Sequence, residues 1–91
     1  MTAERRLHEL LRDPKVETVH LSSALRRALG ISKKAADRHP RLRAHRTLPG
    51  AVMIAIRTTY KDNVVVLAYD EPGEAFARDF ARRPDWGRLA S

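Results

Sequence analysis

Ninety-one residues, 43% of them apolar, are enough for one domain with a single core, and thirteen alanines keep that core thin. The chain has no cysteine, and its longest apolar runs, 51–56 and 64–69, are six residues each, so disulfides, thiolate metal sites and a membrane-spanning helix of about 20 residues are excluded. The net charge of +7 lies wholly in residues 1–48, with twelve Lys/Arg against five Asp/Glu, whereas residues 49–91 hold six of each.

The chain therefore reads as a single domain, 1–91, with a basic helical half (1–48) and a neutral half (49–91) made of a hairpin, a C-terminal helix and a tail. In residues 3–12, Leu7, Leu10 and Leu11 share one face at helical spacing, and Asp13-Pro14 stops the helix. Residues 15–21 read as a short strand, with Val16, Thr18 and His20 on one side and Glu17, Val19 and Leu21 on the other. Ser22 or Ser23 caps a helix running to Leu29, and Gly30 suits the position beyond its end, where a positive φ is usual. Ser32 caps a second helix through Arg38. Pro40 disfavours helical backbone at His39, so this helix either stops near Arg38 or bends into a further turn through Leu42.

Pro49-Gly50 opens the neutral half. Residues 51–60 and 63–70 are β-rich runs joined through Lys61-Asp62, with Val52, Ile54 and Ile56 on one face of the first and Met53 and Ala55 on the other. The second run is apolar on both faces and should be covered on both or lie centrally. Asp70 or Glu71 caps a final helix with Pro72 in its first turn, Phe76 and Phe80 on its buried stripe, and Pro84 after it. Trp86 and Leu89 of the tail are expected to dock on the core. The expected fold is α+β in the order α-β-α-α-β-β-α, with a two- or three-stranded antiparallel sheet.

The charge is concentrated further. Residues 26–46 carry Arg26, Arg27, Lys33, Lys34, Arg38, Arg41, Arg43 and Arg46 against one acid, Asp37. A cationic stretch of this density attracts polyanions. Leu25 and Leu29 before Gly30, Ile31 after it, Ser32 opening the next helix and Ala36 inside it resemble the helix-turn-helix superfamily, and the element order resembles a winged helix. Two positions depart from that pattern: Arg26 stands where a small residue is usual, and His39 where an aliphatic one is. The resemblance implies that the second helix enters the major groove with its N-terminal residues toward base edges and Ser32, Lys33, Lys34, Asp37 and Arg38 exposed on it, while Lys61 at the hairpin tip is a wing contact or a turn residue. Arg41, Arg43 and Arg46 are expected as phosphate clamps or a basic arm, and Arg26 and Arg27 as nucleic-acid contacts or, equally, helix-surface charges.

From residue 15 onward the order also resembles a KH-type RNA-binding domain, although the loop Gly30-Ile31-Ser32-Lys33 lacks the second glycine of that family's motif. A small basic ribonuclease of the toxin type would draw on His45, Arg46, Arg57 and Tyr60, but such folds use three or more strands after the helices and the pattern here gives two. A protein-interaction module built on the apolar hairpin is a further class. His8, His20, His39 and His45 show no metal-ligand spacing, and no nucleotide-binding or hydrolase motif is present, so no cofactor, metal or catalytic residue is expected. The expectation is a cytoplasmic, double-stranded-DNA-binding transcriptional regulator acting as a homodimer, with RNA as the alternative partner and no membrane association.

Overall fold

A computed structural model describes residues 2–57 and 64–82. Helix α1 (Ala3–Arg12) is followed by strand β1 (Val16–Ser22), helices α2 (Ser23–Ala28) and α3 (Lys33–Arg38), strands β2 (Leu42–His45), β3 (Val52–Arg57) and β4 (Val64–Ala68), and helix α4 (Glu71–Ala81). The strands form one sheet in the order β2-β1-β3-β4. β1 pairs parallel with β2 and antiparallel with β3, and β3 pairs antiparallel with β4 from Val52↔Ala68 to Ile56↔Val64. No helix of the described residues is long and apolar enough to cross a membrane.

The expected two- or three-stranded antiparallel sheet is corrected to a four-stranded mixed one. The added strand is β2, in a stretch expected to be helical or an arm. Pro40 ends α3: His39 is already extended, with ψ 133°, and its N–H closes the helix on the carbonyls of Ala35 and Ala36. The chain then runs beside β1, where Val19 N–H donates to the Arg41 carbonyl at 2.7 Å.

A second correction concerns the faces of β1. The register slips between Val16 and Thr18 against Arg57 and Ile56, so β1 carries one extra residue there, a bulge. The bulge puts Val16 in the same core as Val19 and Leu21, rather than beside Thr18 and His20.

That core lies on one side of the sheet, where Leu7 and Leu10 of α1, Leu25 of α2 and Ala36 of α3 meet Val19, Leu21, Leu42, Met53 and Ala55. On the other side Val52, Ile54 and Leu48 pack against Phe80 of α4, whose ring lies 5.6 Å from that of Phe76. β4 is an edge strand and is half-buried on both faces, with Val65 and Leu67 packed against the first cluster and Val64, Val66 and Ala68 against the second. Asp70 joins the two layers: Oδ1 caps α4 by accepting from Gly73 N–H at 2.8 Å, and Oδ2 accepts from Ala51 N–H at 2.9 Å. The expected turn at Lys61-Asp62 and the docking of Trp86 and Leu89 lie outside the described residues.

Candidate nucleic-acid interface

The basic segment is built around the α2–α3 turn. Ser22 is fully buried, and its Oγ accepts from Leu25 N–H at 3.2 Å, capping α2, and from Val52 N–H at 3.1 Å, fixing the start of α2 to the sheet. At the other end Gly30 takes φ 70°, Ile31 N–H donates to the Arg26 carbonyl at 3.0 Å, and Gly30 N–H to the Arg27 carbonyl at 3.1 Å. This is the Schellman arrangement, and Ile31 packs on the same core as Leu25. Ser32 Oγ then accepts from Ala35 N–H at 3.1 Å and starts α3.

Arg26, at the position where a small residue was expected, uses its length to close the turn. Its Nη1 donates to the Ile31 carbonyl at 3.0 Å, and its Nε has no hydrogen-bond partner among the described residues. Arg27, Ser32, Lys33, Lys34, Asp37 and Arg38 are exposed on α2, the turn and α3. Arg46 is exposed just beyond β2, and Arg43 is exposed on β2 with Nη1 on the carbonyls of Pro40 and Leu42.

Arg41 has a different place. Its guanidinium reaches back to the end of α1, where Nη1 donates to the Leu11 carbonyl at 2.6 Å and Nη2 to the carbonyls of Leu10 and Asp13 at 3.1 and 2.8 Å. A cation on the last carbonyls of a helix satisfies orphan acceptors and complements the helix dipole. Lys61 lies outside the described residues. Of the ribonuclease set, Tyr60 also lies outside them, and Arg57 pairs with Asp13 at 3.6 Å. Val16 pairs with Arg57 and Ser22 with His45. Six residues of β1 therefore put Arg57 roughly 20 Å from His45.

The parallel pairing brings together residues that sequence reasoning did not connect. A cleft of about 630 Å³ opens where β1 and β2 end, lined by Ser23, Arg26, Lys33, Ala44, His45 and Arg46. Beside it, on the sheet face that α4 covers over β3 and β4, β1 and β2 present Thr18, His20, Arg43 and His45. His20 pairs in register with Arg43, contacts the His45 ring edge-on at 5.7 Å and shares a hydrogen bond with Thr18 Oγ1 at 3.2 Å. The signal available for β2 was the alternation Arg41-Leu42-Arg43-Ala44-His45, whose apolar members face the core.

His20 is buried, and its pKa is lowered from 6.5 to about 4, first by burial and then by His45 and Arg43 nearby. The unfolded chain takes up this proton near pH 6.5 while the fold resists it, so stability falls as pH drops below that value and stops falling near pH 4. Between pH 7 and pH 5 we expect denaturant unfolding to show a loss of about 2 kcal/mol from this group alone. His20→Gln should remove that part of the pH slope; an unchanged slope in the variant would contradict the assignment.

No family model matches this chain, and comparison with the curated proteins and with the solved structures gives no match.

Proposed function

We propose that this chain is a nucleic-acid-binding protein that lays the α2–turn–α3 edge on double-stranded DNA and acts as a cytoplasmic transcriptional regulator. The observation that carries the reading is the exposure of Arg27, Lys33, Lys34, Arg38, Arg43 and Arg46 on consecutive elements, with Asp37 the one acid among residues 26–46. A duplex is a dense line of phosphates, and cations grouped in this way release its counterions on binding. In this reading the fold is a winged-helix variant in which β3 and β4 form the wing and β2 is an added strand. Ser32, Lys33 and Lys34 at the start of α3 face base edges, while Arg27, Arg43 and Arg46 hold phosphates. A homodimer belongs to the reading as well, since it covers part of a thin core and sets two α3 helices one DNA turn, or a multiple, apart.

One observation favours a second reading, a single-stranded nucleic acid. On the part of the sheet beside α4, β2 carries the exposed Arg43 and the half-buried ring of His45 next to the half-buried Thr18 of β1, while His20 between them is buried. Polar sheet faces with rings on them suit unpaired bases.

Fluorescence-anisotropy titration of one random-sequence oligonucleotide as duplex DNA, single-stranded DNA and single-stranded RNA, over a salt series, separates the two. If about six phosphates are neutralised, duplex affinity should fall with a log–log slope of about −5. Tighter binding to single strands would replace the first reading by the second. No binding to any of the three at low salt would sink both.

A further inference from the structure

The cations of the basic segment do not all lie on a convex surface. Arg26, Lys33 and Arg46 come from three different elements, α2, α3 and the end of β2, and they converge on one cleft with Ser23 and His45. Duplex DNA meets a protein surface from outside and cannot enter a concavity of this size. A volume of about 630 Å³ lies within the roughly 300–1,000 Å³ of small-ligand sites. The cleft also opens at the carboxyl ends of two adjacent parallel strands, the place where open sheets with such crossovers leave a crevice.

The lining sets the chemistry. Ala44 is its one wholly apolar side chain, and the three cations, the hydroxyl and the imidazole around it suit a compact anion. Arg26 is held in place by its bond to the Ile31 carbonyl, so one guanidinium is oriented before any ligand arrives. A phosphate monoester carries nearly two charges at neutral pH and three strong acceptor oxygens, against the single charge of a backbone diester.

We propose that this cleft binds a phosphate monoester, either the terminal phosphate of a nucleic-acid strand or that of a free mononucleotide. The proposal rests on the nucleic-acid reading for the first source and stands apart from it for the second. Lys33 belongs to both surfaces, so a free ester competes with nucleic acid for it, while a strand-terminal phosphate adds to strand binding.

The test follows the amide resonances of Ala44, His45 and Arg46 as adenosine 5′-monophosphate, adenosine or sodium sulfate is added at fixed ionic strength. The monophosphate should move them saturably and adenosine should not. Arg46→Ala should weaken that binding by about tenfold or more, as expected for loss of a charge-assisted contact, and Lys33→Ala gives the same reading should the first variant disturb the fold. Arg12→Ala, which removes a cation outside the cleft, should leave it unchanged. In parallel, the same oligonucleotide is compared with a 5′-phosphate and with a 5′-hydroxyl. A tighter phosphorylated form identifies the strand end as the source, and monophosphate binding with no end effect identifies the free ester. Monophosphate binding without any oligonucleotide binding keeps the cleft and removes the nucleic-acid reading. Oligonucleotide binding with no end effect, together with a monophosphate that acts no differently from adenosine or sulfate, overturns the cleft and leaves that reading intact.

Discussion

Lys33→Ala combined with Lys34→Ala is expected to weaken duplex binding by about tenfold or more at low salt and to flatten the salt dependence by about two units of log–log slope. Both residues are exposed in the first turn of α3, and that helix is started by Ser32 Oγ and anchored by the buried Ala36, neither of which the change touches. Alanine is the better helix former, so stability should stay within about 0.5 kcal/mol of the parent. The loss would then belong to the interface and not to unfolding. Anisotropy titration beside a denaturation curve checks both halves of the statement. Unchanged affinity in a folded double variant would remove α3 as the DNA-facing element.

Arg41→Met should do the reverse. The residue is as basic as its neighbours, yet its guanidinium bonds the carbonyls of Leu10, Leu11 and Asp13 at the end of α1. Removing it takes the side-chain donor from the Leu11 carbonyl, strips the carbonyls of Leu10 and Asp13 of one of the two bonds each accepts, and frees α1 from the start of β2. Bonds to a charged donor contribute about 1.5–3 kcal/mol each and are not additive, so a loss of about 3 kcal/mol or more is expected in denaturant unfolding. The salt slope of DNA binding by the remaining folded protein should be unaltered. A stable Arg41→Met protein with a flatter slope would move Arg41 back to the phosphate-facing set. The two experiments together divide one basic segment into cations that meet the ligand and a cation that holds the fold.

Much of the fold was legible because the local signals agree with one another. In α1 the leucine spacing and the stop at Asp13-Pro14 give one answer, and the helix runs over the residues that this spacing predicts, with Thr2 as its cap. The faces of β3 also follow the pattern, with Val52 and Ile54 in the cluster that holds Phe80 of α4 and Met53 and Ala55 in the core shared with α1, α2 and α3. The turn at Gly30 has the positive φ that the glycine signals.

What was not legible depends on partners far away in sequence. β2 is four residues long and lies within the basic segment, and its strand character rests on a parallel pairing with β1, on the far side of two helices. Without that pairing nothing joins Ser23 to His45 and Arg46, and the cleft has no sequence signature. The bulge in β1 is likewise decided by its register against β3, so the alternation alone misplaces Val16. Arg41 shows the limit of reading charge: its partners lie 28–31 residues upstream, and composition cannot tell a helix cap from a phosphate clamp.

The most direct test of the central claim is a map of the contact surface on the protein itself. Amide spectra of isotope-labelled protein, recorded as a short duplex is added at low salt, report every residue whose surroundings change. The shifts should gather at Arg27, at Ser32 to Arg38 and at Arg43 to Arg46, and should fade as salt is raised. Shifts gathered instead on β4 and α4, or none at any duplex concentration, would contradict the claim that this basic edge holds a nucleic acid.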